Sequence, residues 1–247
     1  EQVLSSLMAQ EANPSKTAPA VSFSAQGGFG TYEIGTKKNL TYTASLSAGS
    51  YTYGPATGIT AQSWSVTCTG VEDALATATG TFEGVIAEAS AKKITAKATY
   101  GDGAIPVTNL GNPYSAGQIK AGSASKDSNS LIGVRHMFYG VVKSADFALN
   151  SANIRSLNHE AVAKKTISTF TAGEGAVKVI VACPAGYNVT KVTLPSAMGA
   201  DATADFAKQT STVAVEGAEG YASAPYTVWV FEPASIPSTQ SYSIVIG

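Results

Sequence analysis

Charge is what this sequence has least of: Asp, Glu, Lys and Arg make up 13% of its 247 residues, about half the share of an average soluble domain. The net charge is −1, and basic residues never cluster beyond the pairs Lys37-Lys38, Lys92-Lys93 and Lys164-Lys165. A chain so balanced has no electrostatic footprint for nucleic acid or for an anionic membrane surface. Long apolar runs are missing too. The longest, Val177 to Cys183, is interrupted by Lys178 and is too short for membrane insertion. The first residues have neither the basic start nor the sustained apolar stretch of a signal peptide, and a chain beginning at Glu1 is expected to be a fragment or a trimmed product.

The means for chemistry are equally scarce. There are two histidines, His136 and His159. No His-x-His, His-x₃-His or Cys-x₂-Cys occurs, so no local spacing nominates a metal site. His136 lies in a strand pattern and is expected to be a hydrogen-bonded structural residue; His159 precedes Glu160 just after a short helical segment. No Gly-x-Ser-x-Gly elbow appears, and Gly27-Gly28-Phe29-Gly30 lacks the Lys-Ser/Thr and the helix of a phosphate loop. A glycosidase would need two carboxylates from a set such as Asp73, Glu83, Glu160, Asp201, Asp205 and Glu216, and nothing selects a pair among them. The expectation is a non-enzyme, with no catalytic residue, no metal and no cofactor. The two cysteines, Cys68 and Cys183, each continue an apolar strand pattern, which favours two buried free thiols; a disulfide would need their Cα atoms within about 7 Å.

What the chain does have is strand patterning and turn chemistry. Ala20–Ala25 and Leu40–Leu46 alternate. Trp64, Val66 and Cys68 face one way while Ser63, Ser65, Thr67 and Thr69 face the other, and Ile94, Ala96, Ala98 and Tyr100 repeat the pattern. A period of two marks strands with one buried and one wet face. Gly27-Gly28, Gly49-Ser50, Gly54-Pro55, Gly70 and Gly80 supply turn signals between them. Residues 20–101 are therefore predicted to be an immunoglobulin-like β-sandwich, with Trp64 as a core plug. Residues 102–130, rich in Gly, Pro, Asn, Ser and Lys, read as a loop or linker, in which Tyr114 either pins the segment to a neighbour, the favoured role, or contacts a ligand. Residues 131–247 are predicted to be a second antiparallel β-sandwich with one short helix capped by Ser151. Val177–Cys183 and Tyr226–Glu232 carry apolar residues on both faces and should be buried on both. The closing Ile244-Val245-Ile246 should be packed in a core or an interface.

Residues 1–19 form an appendage. Val3, Leu4, Leu7 and Met8 make one apolar helical stripe, ended by Asn13-Pro14 and followed by an extended linker. A helix so short needs a partner, either the body of this chain or copies of itself. The remaining signal is aromatic. Tyr51 and Tyr53, two residues apart on an extended edge, either fill the end of the first sandwich or stand exposed, where tyrosines stack on sugars and dominate interfaces.

Gly49–Gly58 and Asn109–Tyr114 resemble loops of bacteriophage tail or fibre proteins, from phages of gut bacteria. Phe138-Tyr139-Gly140, Ala148–Leu157, Val215–Tyr221 and Pro225–Pro233 resemble the same proteins, so that the likeness spans most of residues 20–247. It implies a virion structural protein acting in particle architecture or host-surface attachment. Other copies of itself in a homotrimer and other virion proteins would be its partners, with a host-surface glycan a further one. The alternative is a bacterial surface or secreted carbohydrate-binding adhesion module.

Overall fold

In the computed structural model, residues 10–233 and 239–247 are described, apart from the side chain of Ser168. The protein is all-β, its sheets are antiparallel, and the described residues hold one short α-helix. The chain divides into two compact units. The second contains residues 31–36, 86–90 and 132–247, and the first contains the rest.

The first unit is made of strands β1 (Lys16–Thr17), β2 (Ala20–Gly27), β3 (Gly30–Glu33), β4 (Lys37–Ser47), β5 (Ser50–Tyr51), β6 (Ala61–Cys68), β7 (Thr79–Ile86), β8 (Lys92–Tyr100) and β9 (Gly122–Val134), some of which run on into the second unit. They form sheets ordered β2–β4–β7 and β3–β9–β8–β6, with a short β1–β5 ribbon. The alternating positions turn inward as their pattern requires. Leu40, Tyr42, Phe82 and Val85 are buried from one sheet, and Val66, Ile94, Ala96, Ala98 and Leu131 from the other. Burying such side chains is the main favourable term holding the sheets face to face.

Four local expectations are corrected. Residues 122–130, expected as loop, are the front of the 13-residue β9, which pairs with β8 from Tyr100↔Gly122 to Lys92↔Leu131. Its Ser, Lys and Asp side chains cover a solvent face, so apolar alternation never showed. Gly80 is not a turn but a position inside β7, where a Cβ would come within 2.9 Å of the Tyr42 hydroxyl and 2.8 Å of Leu75. Trp64 is half-buried on β6 rather than a core plug. Residues 16–17 pair as a strand, so that part of the expected linker is tied down; the helical stripe of Val3, Leu4, Leu7 and Met8 lies outside the described residues.

The second unit holds β10 (His136–Val142), α1 (Ser151–Arg155), β11 (Asn158–Ala161), β12 (Thr166–Ala172), β13 (Lys178–Pro184), β14 (Val189–Leu194), β15 (Ala200–Asp201), β16 (Ala207–Lys208), β17 (Val213–Val215), β18 (Ala224–Phe231) and β19 (Gln240–Ile246). One sheet runs β11–β10–β13–β18–β16, with β17 also on β18; the other runs β12–β19–β14–β15. β13 and β18 are buried on both faces, as their apolar composition demands. Val179, Val181, Cys183 and Trp229 face the second sheet, meeting Ile167, Tyr242, Ile244 and Ile246. Ile180, Ala182, Val228 and Val230 face the other way, where Phe138, Ile154 of α1 and Val215 cover them. The helix is capped by Asn150, not Ser151: the Asn150 side chain accepts a hydrogen bond from the Asn153 N–H at 2.9 Å. Ser151 instead accepts one from the Glu216 N–H at 3.1 Å. Cys68 and Cys183 are free and buried, and burial pushes the Cys183 thiol up to about 12.

Candidate functional site

Loops carry function where they are ordered, long and exposed. One end of the first unit has two such loops, residues 48–60 between β4 and β6 and residues 101–121 between β8 and β9. They are laced together. The Ala104 N–H bonds the Thr57 carbonyl, and the Thr57 hydroxyl in turn donates to the Ala48 carbonyl at 2.9 Å. Gly54, at φ +108°, lets the first loop press on the second: a Cβ there would sit 2.9 Å from the Val107 nitrogen. The second loop folds back at residues 107–113, with Val107 bridged to Pro113 and the Gly111 N–H closing on the Thr108 carbonyl. Tyr114 packs its ring over Gly117, within its own loop.

The two tyrosines part company. The Tyr51 hydroxyl accepts a 2.8 Å hydrogen bond from the Ile119 N–H, so this side chain ties the loops together. Tyr53 lies past the end of β5 and is 37% exposed. Ile105 at 46% and Leu110 at 51% stand out from the second loop. These three are most of the exposed large apolar side chains among the described residues, the others being Met198 and Val245. Ile105 and Leu110 were not signalled as candidates, although apolar residues inside a turn-rich stretch, with no strand to bury them, are the available clue. Where the two loops meet the ends of β6 and β8, Gly58, Ile59, Thr60, Gln62, Gly101 and Asp102 line an open polar depression of about 100 Å³. The Asp102 carboxylate accepts from the Ala121 N–H and from Lys120, and these bonds hold its pKa below the usual range.

The second unit gathers ionisable groups around Arg155. Its guanidinium holds the Glu33 carboxylate with both terminal nitrogens, at 2.5 and 3.2 Å, donates to the Glu216 carbonyl at 2.8 Å and lies 5.7 Å from the Phe138 ring centre. His136 Nδ1 is buried without a hydrogen-bond partner. The ring instead stacks on His159 of β11 at 5.0 Å, and the Tyr226 hydroxyl donates to the His136 carbonyl at 2.8 Å. Glu160, on the opposite face of β11, pairs with Lys164 at 2.9 Å. Among the described residues no three His, Cys, Asp or Glu side chains converge as metal ligands would.

Burial holds the His136 pKa below 6.5; Glu33 opposes that shift, while His159 and Arg155 add to it. The unfolded chain therefore takes up this proton more readily than the folded one. The His136 contribution is unchanged above about pH 6.5, and stability falls as the pH drops below it until the folded imidazole itself titrates. Denaturant midpoints between pH 7.5 and 5 should decline for the wild type and decline less for His136→Gln. Equal slopes for the two would remove His136 as the cause.

No protein-family model matches the chain, and neither curated proteins nor solved structures provide a match.

Proposed function

We propose that this chain is a non-catalytic structural and attachment protein of a phage tail or fibre, with the loop end of its first unit as the contact surface. The observation that carries the reading is the display of Tyr53, Ile105 and Leu110 on two loops fixed by their own hydrogen bonds. Apolar side chains held out on an ordered scaffold lose little entropy on binding and gain area when covered. The first unit's strand order supports an immunoglobulin-like reading. The sets β2–β4–β7 and β9–β8–β6 parallel the A–B–E and C–F–G sets of that sandwich, whose loop ends are common binding surfaces. The low charge and the resemblance of residues 49–58 and 109–114 to fibre loops point the same way. Copies arrayed on a particle would turn weak single contacts into firm attachment.

A surface adhesion module that binds sugar is the second reading. An exposed tyrosine on the same loop as part of a polar depression lined by Gln62 and Asp102 favours it, because sugars are held by ring stacking plus directed hydrogen bonds. Titrating labelled protein onto intact gut bacteria and onto purified glycans separates the two. Saturable binding to cells with no response to free sugars supports the first; millimolar binding to a soluble sugar by a monomer supports the second.

A further inference from the structure

We propose that residues 10–17 are an exchangeable strand, and that the surface they cover is where a second copy of this chain docks its own residues 10–17. The proposal deepens the assembly part of the reading above and rests on it only for bringing copies together.

The pairing of β1 with β5 and of β2 with β4 keeps a single register. Lys16 faces Tyr51, Thr17 faces Ser50, Ala20 faces Ser47 and Val21 faces Leu46. The Thr52 N–H extends the ladder outward by bonding the Ser15 carbonyl at 3.0 Å. β1 and β2 are thus one strand broken at Ala18-Pro19, directly opposite a break at Ala48-Gly49. Both breaks are built in. Pro19 has no N–H to give to a ladder, and Gly49 sits at φ +70° with the Thr17 carbonyl oxygen 2.3 Å from where a Cβ would be.

The two sides of the break are held differently. Inside it, Pro19 and Val21 are buried. Outside it, residues 10–18 are exposed apart from a half-buried Pro14, and they are held by polar pairs. Asn109 clamps the main chain, accepting from the Ala12 N–H at 2.8 Å and donating to the Ala12 and Gln10 carbonyls at 3.2 and 3.1 Å. Thr108 and Asn112 both donate to one Glu11 oxygen at 2.8 Å, which holds that carboxyl below its ordinary pKa. Lys16 reaches the Gln118 carbonyl at 3.2 Å, and Thr17 meets the Ser50 hydroxyl at 2.8 Å. Most of these pairs are exposed, the exception being the buried Thr108 hydroxyl, and exposed polar pairs compete with water and open locally.

The surface left behind would be an unpaired strand edge with side-chain clamps, a site for strand addition. Its chemistry names its occupant. It reads main chain at residues 10 and 12, a carboxylate at 11, an ammonium at 16 and a hydroxyl at 17. That set belongs to this chain's own segment. None of these contacts depends on which copy supplies the strand, and among the described residues the chain joins the segment to the body through Ala18-Pro19. Exchange therefore conserves the contacts while linking copies, as in domain swapping, and a particle's high local concentration drives it.

The Thr17–Ser50 pair supplies the test, since both residues are exposed and directly opposed. A Thr17→Cys/Ser50→Cys variant is prepared with natural and heavy nitrogen. The two forms are mixed, unfolded and refolded together at several concentrations, then oxidised and digested, with each single variant as the control for Cys68 and Cys183. Linked peptides joining residues 17 and 50 across isotopes are expected, rising with concentration toward the statistical share. Only same-isotope peptides at every concentration would overturn the exchange, even if light scattering detects an oligomer. Cell binding is scored separately, so failure of attachment and failure of exchange are told apart.

Discussion

Truncating Tyr242 to alanine should destabilise the second unit by about 4 kcal/mol, within the roughly 3–5 kcal/mol seen for buried aromatic truncations. The ring is 1% exposed and packs against Phe170 at 5.7 Å and Phe206 at 6.1 Å between centres. β19 is flanked by β12 and β14, so its inward row of Tyr242, Ile244 and Ile246 has no room to collapse into the space left. Val245, one residue from Ile244 and 38% exposed, provides the contrast: Val245→Thr should move stability by less than about 0.5 kcal/mol. Urea unfolding followed by circular dichroism measures both. Similar costs at positions 242 and 245 would mean that β19 does not present these faces.

Arg155→Ala should cost the same unit about 3 kcal/mol. Its side chain and that of Glu33 are 26% and 15% exposed, and removing one member of a mostly buried pair leaves the other charge unpaired. The guanidinium also satisfies the Glu216 carbonyl and covers Phe138, so charge alone does not replace it. Arg155→Lys should recover only part of the loss, because an ammonium cannot hold both carboxylate oxygens in a planar fork. Pairing Arg155→Ala with Glu33→Gln in a double-mutant cycle isolates the coupling. A double variant no less stable than Glu33→Gln alone would show that Arg155 contributes little beyond its partner.

How much of this was legible in the residues follows from what each strand buries. β13 and β18 could be read as doubly buried because Val, Ile and Trp occupy both of their faces, and the structure gives each face its own core. β19 announced itself by apolar content that no free tail would carry. β9 was hidden because its outer residues are Ser, Lys, Asp and Asn; its pairing with β8 rests on main-chain hydrogen bonds, which leave no mark on side-chain pattern. β7 was hidden by Gly80, whose small size serves a close approach to Tyr42 rather than a turn. At the candidate surface, the Tyr51-Thr52-Tyr53 pattern pointed to the first loop, but only the fold shows that Tyr51 is tied inward and Tyr53 left out. Glu33 and Arg155, 122 residues apart, share no local pattern, and neither do the stacked His136 and His159. Such pairs are products of topology.

Attachment through the loop end is tested most directly by one comparison, the binding of labelled wild type and of a Tyr53→Ser/Ile105→Ser/Leu110→Ser variant to intact gut bacteria. All three side chains are 37% exposed or more, so the variant should keep its fold, with a circular dichroism spectrum and urea midpoint close to those of the wild type. Saturable binding by the wild type and at least about a tenfold loss in the variant, equivalent to roughly 1.4 kcal/mol, is the predicted result. Undiminished binding by a correctly folded variant would contradict it and move the contact surface elsewhere on the molecule.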